Sequence, residues 1–203
     1  MSYRDLLVKL GDTTVSKVLD VLGMHREGML TAQETLAVLT TIVGKGQAQA
    51  IVLAEASLAA ELTVLSGVPV PIAPATLQAH PVAVQQALGT TLGFDGDITD
   101  RMERVVRGIT YKAAAEAYSD GVKRSQLVSG WVRDLEPDAC QMCVWWWREG
   151  RVWPKEHPMP THTGCTCSPR PVLAQGIEST AKTRALAGEG QPRKQKIQPV
   201  LGG

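Results

Sequence analysis

The sequence predicts a mostly α-helical N-terminal region, followed by a small cysteine- and tryptophan-rich β module and a flexible basic C-terminal tail. Three observations support this α+β organisation. Apolar residues recur at helical intervals before residue 130, all five tryptophans fall between residues 131 and 153, and all four cysteines fall between residues 140 and 167. With 203 residues and a hydrophobic content of 44%, the chain can bury a core. We assign the helical region to 1–129, the module to 130–170 and the tail to 171–203.

Four amphipathic segments account for the helical region. Apolar side chains follow steps of three and four along each segment, which is the spacing of one helix face. Gly11 and Gly46 predict interruptions within helices, whereas Gly67 and Gly121 predict helix ends. The predicted helices cover residues 2–22, 36–65, 80–92 and 98–120.

The fourth predicted helix carries a cationic face beside its apolar stripe. The basic residues of this face are Arg101, Arg104, Arg107 and Lys112. Our interpretation is a solvated surface, with a contact surface on DNA or an acidic partner as the alternative. The whole chain has 21 basic and 20 acidic residues, so it lacks the positive field of proteins that coat nucleic acid without specificity.

No segment predicts secretion or membrane insertion. The first ten residues include Arg4, Asp5 and Lys9, where a secretory signal would need an apolar core. The uncharged run over residues 62–94 is long enough to span a bilayer, but four prolines and several polar residues interrupt it. We therefore expect a protein that starts in the cytosol and has no membrane partner.

A metal-binding pattern spans the module. Cys140-x-x-Cys143 is followed, after 18 residues, by His162-x-x-Cys165-x-Cys167. Two closely spaced ligand pairs of this kind wrap a tetrahedral ion, and thiolate and imidazole ligands suit zinc. In a reducing cytosol, clustered cysteines are more often metal ligands than disulfides. The pattern predicts structural Zn²⁺, with free or oxidised cysteines as the alternative.

Five candidate ligands compete for the four positions of a tetrahedral ion. Spacing symmetry favours Cys140, Cys143, His162 and Cys165, with Cys167 in place of His162 as the next choice.

The segment between the ligand pairs is predicted to form a β-hairpin. Residues 144–147 and 151–153 flank a short glycine-containing turn. Zinc at the base of this hairpin would stabilise a module with little core, because metal binding contributes on the order of 10 kcal/mol to folding. Strand alternation would send Trp145 and Trp147 to one face and Trp146 to the other. We therefore assign this run to core packing and protein contact rather than to base stacking.

The pattern offers more soft ligands than one ion needs, which indicates a closed structural site. A catalytic zinc keeps one position open to water and needs an acid or a base beside it. Glu149 and Glu156 do not form an H-x-E or H-E-x-x-H arrangement, and His157 is assigned to packing or to the surface. We therefore predict that the protein is not an enzyme, and we assign no catalytic residue.

A strand signal at residues 130–133 precedes the metal-binding pattern. Together these motifs resemble the signature of the phage Mu F-like (MuF) minor head proteins. In that family a helix rich in Ala and Arg leads into a short strand, C-x-x-C, a hairpin, a proline-rich link and a closing H-P-x-C-x-C. The lead-in helix corresponds to residues 101–118 and the link to 158–161, and the resemblance covers residues 97–169. Thr163 stands where the family commonly has proline.

The resemblance implies a structural minor capsid protein of a tailed bacteriophage that acts in head morphogenesis. Family members associate with the portal and are present in few copies inside the head. The implied partners are therefore the portal and the inner capsid surface, with several copies per virion. The implied location is the virion head, and the host cytoplasm during assembly. Some related chains carry an enzymatic domain, which we do not expect here because only about 36 residues follow Cys167.

Other functions remain as alternatives. One is a zinc-ribbon nucleic-acid-binding protein or an HNH-like nuclease, and another is a host-type adaptor with a zinc ribbon. An HNH-like nuclease needs a metal-activating histidine pair and usually an asparagine, and the chain contains no asparagine. This absence counts against the nuclease.

The tail has a basic excess. Residues 171–203 carry five basic and two acidic groups, and the segment is too polar to fold alone. A solvated tail, or one that orders on the portal, is the favoured interpretation. The alternative is contact with packaged double-stranded DNA through Arg193, Lys194 and Lys196.

Overall fold

The structure, a computed structural model, describes residues 1–72, 77 and 79–174. Four helices precede a three-stranded antiparallel sheet, so the predicted helical N-terminal region with a small β module is confirmed. The elements are α1 (Tyr3–Arg26), α2 (Ala32–Ser66), α3 (Pro81–Leu92), α4 (Thr99–Arg124), β1 (Val128–Asp134), α5 (Gln141–Trp147), β2 (Trp153–Pro154) and β3 (Ser168–Leu173).

Capping boxes begin the first two helices. Ser2 Oγ accepts the amide of Asp5 at 3.1 Å, and the Asp5 carboxylate accepts the amide of Ser2 at 2.7 Å. Thr31 and Glu34 make the same exchange at the start of α2. These bonds satisfy amides that the first turn of a helix leaves without partners. At the other end, α2 stops at Gly67, whose φ of 71° is left-handed.

Three glycines that predict breaks or ends lie inside continuous helices instead. α1 passes through Gly11, α2 through Gly46 and α4 through Gly121. A Cβ atom on Gly11 would lie 2.7 Å from the Tyr111 ring, and one on Gly121 would lie 2.5 Å from Leu58 Cδ2. The glycines are therefore points of close helix crossing, and the packing that they permit offsets their low helix propensity.

The helices enclose two buried apolar clusters, and the sheet contributes to one of them. The first cluster joins α1, α2, α3 and α4 and includes Val18, Leu39, Leu88 and Val106. The second joins α1, α2 and α4 to the β module through Val128, Trp131 and Met159. The module therefore shares a core with the helical region.

The predicted hairpin over residues 144–153 is wrong. Residues 144–147 lie in α5, and Arg148 and Glu149 then take left-handed conformations with φ of 50° and 57°. β2 pairs with β1 instead. The physical reason is the C-x-x-C pair. A helical turn that starts at Cys140 brings Cys143 back beside it, whereas a strand would send the two side chains to opposite faces.

The sheet has the order β2-β1-β3, with both pairs antiparallel. In its register Trp131 lies opposite Trp153 on one side and opposite Pro171 on the other. Because β3 extends to Leu173, residues 171–173 of the predicted tail belong to the sheet. The remainder of the tail, 175–203, lies outside the described residues.

Among the described helices, α2 is long and apolar enough to cross a bilayer, with a mean hydropathy of 1.5 over an 18-residue window. Core helices of globular proteins have the same length and composition. The polar side chains of Gln47 and Glu55 are buried on α2, and its apolar residues pack in both core clusters. We therefore describe α2 as a core helix.

Candidate metal centre

The five predicted ligands meet between α5 and the loop before β3. Cys140 is the N-cap of α5 and Cys143 lies in its first turn, while the other three candidates lie in or next to the loop. Together with the carboxylate of Glu136, their ligand atoms form two groups, in each of which all atoms lie within 4.8 Å of one another. The first group is Cys140, Cys143 and His162; the second is Glu136, Cys143, Cys165 and Cys167. These groups could hold a metal ion, and Cys143 belongs to both.

Three contacts link four of the candidates. His162 Nε2 lies 3.1 Å from Cys143 Sγ and 3.3 Å from Cys140 Sγ, and Cys143 Sγ lies 3.5 Å from Cys165 Sγ. Ligand atoms on one tetrahedral zinc lie about 3.5 to 3.8 Å apart, given Zn–S bonds of about 2.3 Å. The contacts are within about 0.5 Å of that spacing. Neither group contains both Cys140 and Cys165. A single ion bound by the four linked residues therefore requires the sulfur atoms of Cys140 and Cys165 to move closer together.

Burial sets the protonation of the thiols. Cys143, Cys165 and Cys167 are at most 3% exposed, whereas Cys140 is exposed. Burial raises the pKa of Cys143 to about 12. The thiol of Cys165 lowers the pKa of Cys167 to about 6, and the amide of Glu136 also donates to this sulfur at 3.5 Å. A metal ion deprotonates thiols that burial would otherwise keep neutral, so the cluster suits a cation.

A buried arginine lies against the cluster. Arg133 on β1 is 1% exposed, and its Nη1 lies 3.8 Å from Cys143 Sγ. Its Nη2 donates to the carbonyl of Pro160, and its guanidinium lies 5.2 Å from the centre of the Trp146 ring. Its Nε has no hydrogen-bond partner, and no carboxylate among the described residues forms an ion pair with it.

This arginine is an independent indication that the cluster is anionic. A guanidinium is always charged, and burying it without a counter-charge costs several kcal/mol. The thiolates of a metal-bound cluster are the groups beside Arg133 that would balance its charge. The residues present therefore fit a thiolate-bound metal ion.

Glu136 and Arg133 belong to the site although no sequence motif marks them as site residues. The Glu136 carboxylate accepts the amide of Thr166 at 3.2 Å and also the hydroxyl of Thr166, which ties the end of β1 to the Cys165-x-Cys167 loop. No local pattern marks this contact, because 30 residues separate its partners. Arg133 did carry a signal, since it directly follows two apolar residues within a strand.

The other residues singled out in the sequence have different surroundings. His157 is exposed and stacks on Trp153, with ring centres 4.5 Å apart, which fits its assignment to packing or to the surface. Trp146 lies 6.2 Å from the His162 ring, whereas Trp145 is 66% exposed. The three possible contact residues of the tail, Arg193, Lys194 and Lys196, lie outside the described residues.

Comparisons with family models, with curated proteins and with solved structures found no match. The functional assignment therefore depends on the chain's own residues: a cluster of buried thiols, its arginine, and the order of elements that leads to it.

Proposed function

We propose that this chain is a structural minor capsid protein of a tailed bacteriophage, of the MuF-like type, which docks on the portal inside the head. The observation that carries the proposal is the order of elements that lead into the cluster. α4 is followed by β1, then by the C-x-x-C pair on α5, then by a proline-containing link and the H-x-x-C-x-C pattern. This order agrees with the motif order of the MuF-like signature except at the hairpin, where this chain has α5 and the short strand β2.

The metal in this proposal is zinc, held by Cys140, Cys143, His162 and Cys165. These four residues are linked by the three short contacts described above. Zn²⁺ with three thiolates and a neutral imidazole carries one net negative charge, which the single positive charge of Arg133 balances. Four thiolates would leave a negative charge uncompensated. Cys167 instead has its sulfur engaged by the Glu136 amide.

Zinc at this position has a structural role. Four protein ligands close the coordination sphere, and a catalytic zinc needs a position that is open to water. The ion would fasten α5 to the loop that precedes β3, and β3 pairs with β1 over its whole length. The module then presents a rigid surface next to the helical region, which suits a protein whose work is assembly.

The portal interaction is the first prediction. Co-expression with the cognate portal protein should give co-purification that survives moderate salt, because exposed apolar residues on α2 offer a contact surface. Val38 and Val52 are 39% and 61% exposed and lie on one face of α2, 14 residues apart. We expect Val38→Glu with Val52→Glu to weaken co-purification at least tenfold, as measured by quantitative pull-down.

Val152→Glu serves as the control, since it makes the same change on the module at a valine whose exposure, 53%, lies between those of Val38 and Val52. It should leave co-purification unchanged if the helical region is the main docking surface. The proposal is contradicted if the unmodified chain stays monomeric beside its portal and is absent from mature heads.

The alternative, a zinc-ribbon protein that binds specific nucleic acid, shares the same metal centre. It predicts at least micromolar affinity for one duplex sequence at physiological salt. Sequence selection from a random duplex library separates the two functions, because the minor capsid protein should enrich no sequence.

A further inference from the structure

A cleft lies between α4 and the loop that carries His162. Its volume is about 410 Å³, and one wall belongs to α4 while the other belongs to the metal-centre loop. The lining residues are Arg104, Val105, Gly108, Ile109, Lys112, Thr161, His162 and Thr163. No carboxylate is among them, so the cleft is cationic.

The structure divides the predicted cationic face of α4. Arg107 is held by ion pairs to Asp12 and Glu103, and the guanidinium of Arg101 lies 4.0 Å from the centre of the Phe94 ring. These two arginines are thus engaged within the protein. The remaining basic residues of the face are the two that line the cleft.

Arg104 and Lys112 are both available to a ligand. Arg104 is exposed, and no carboxylate among the described residues forms an ion pair with it. Lys112 pairs with Glu116 at 3.7 Å, but both side chains are more than half exposed. Such an exposed pair contributes at most about 1 kcal/mol, so an incoming anion can compete for the lysine.

The spacing of these two cations suits an extended anion. Arg104, Gly108 and Lys112 recur every four residues, which places them on one face and separates the cations by about 12 Å along the helix axis. Gly108 has no side chain to fill the space between them, and the methyl group of Thr163 would lie 3.3 Å from a Cβ atom at this position. The opposite wall adds two polar residues, Thr161 and Thr163.

We propose that this cleft binds the phosphate backbone of double-stranded DNA. The inference rests on the proposed function and deepens it, since it assigns a contact with packaged DNA to the folded body rather than to the tail. Arginine, lysine and threonine are typical donors to phosphate oxygens. A protein partner would need large apolar anchors at the centre of its contact, whereas the apolar side chains that line the cleft, Val105 and Ile109, are already partly buried against the core.

The test compares two double variants with the same change in net charge. Arg104→Gln with Lys112→Gln removes both cations of the cleft, whereas Lys17→Gln with Lys45→Gln removes two exposed lysines that do not line it. Fluorescence anisotropy with a fixed-length DNA duplex gives the affinity as a function of salt. Each lost phosphate contact lowers the salt slope by about 0.9, so the cleft variant should lose about 2 units of slope and the control should lose much less.

A third variant separates the cleft from the tail. Arg193→Gln, Lys194→Gln and Lys196→Gln should leave the contribution of the cleft in place. The inference is overturned if the cleft variant and its control have the same slope, if the tail variant alone abolishes binding, or if the cleft variant loses affinity for polyglutamate but not for DNA. Portal co-purification of the unmodified chain keeps the two proposals distinct, because its failure would refute the proposed function while leaving the DNA result unchanged.

Discussion

Replacing Cys143 with serine is expected to abolish metal binding and to disrupt the β module. Cys143 is fully buried and belongs to both groups of candidate ligands, so its loss leaves neither group intact. Losing the ion removes on the order of 10 kcal/mol of folding free energy. We expect less than half an equivalent of zinc and loss of the near-UV signal of the tryptophans. Most of the far-UV helical signal should remain, because α1 to α4 have a core cluster of their own.

Cys167→Ser is the matched control, because it makes the same chemical change at another buried cysteine. It should retain close to one equivalent of zinc, since Cys167 lies outside the proposed ligand set. If Cys167→Ser loses zinc while Cys140→Ser retains it, Cys167 replaces Cys140 as a zinc ligand. Full zinc content in Cys143→Ser would contradict the metal centre. If Cys143→Ser loses the near-UV and the far-UV signal equally, the module and the helical region, which share a core through Trp131, unfold as one cooperative unit.

Replacing Arg133 with methionine is expected to weaken zinc binding by about 10- to 100-fold, the usual effect of losing a group that supports a metal ligand. Methionine fills a similar apolar volume but leaves the negative charge of the centre uncompensated in a buried site. Competition with a chelator of known affinity measures the change. Arg133→Lys keeps the charge, so its zinc affinity should lie between those of the unmodified protein and Arg133→Met.

Arg170→Met controls for the loss of one positive charge, because Arg170 lies opposite Val132 on the neighbouring strand and is exposed. Its zinc affinity should match that of the unmodified protein. If Arg133→Met binds zinc as tightly as Arg170→Met does, Arg133 is not the counter-charge. Because Arg133→Lys keeps the charge, it provides a second comparison should the methionine variant fail to fold.

The helices could be predicted from the sequence because their signals are local. Apolar periodicity located all four, and the capping side chains Ser2 and Thr31 lie three residues from their partners. The roles of Gly11 and Gly121 could not be predicted, since a glycine that ends a helix and one that admits a neighbouring helix look alike. Only the contacts with Tyr111 and Leu58 distinguish them, and these residues are far away in the chain.

The candidate site could be predicted only where the spacing of residues in the sequence identifies its ligands. The five ligand candidates follow from C-x-x-C and H-x-x-C-x-C, and the structure brings them together in two overlapping groups. The hairpin was mispredicted because a short run of Val and Trp fits a strand or a buried helical turn equally well. The requirement that Cys140 and Cys143 face one point favours the turn, and the helix that begins there continues through residues 144–147.

The proposed structural role of the module depends on one zinc ion per chain, bound by the cysteine and histidine cluster. Native mass spectrometry of the full chain, purified without chelator and combined with elemental analysis, tests it most directly. We expect one tightly bound zinc per chain and four cysteines that are free of disulfides. Well under half an equivalent of zinc, together with a disulfide between Cys140 and Cys143, would contradict it.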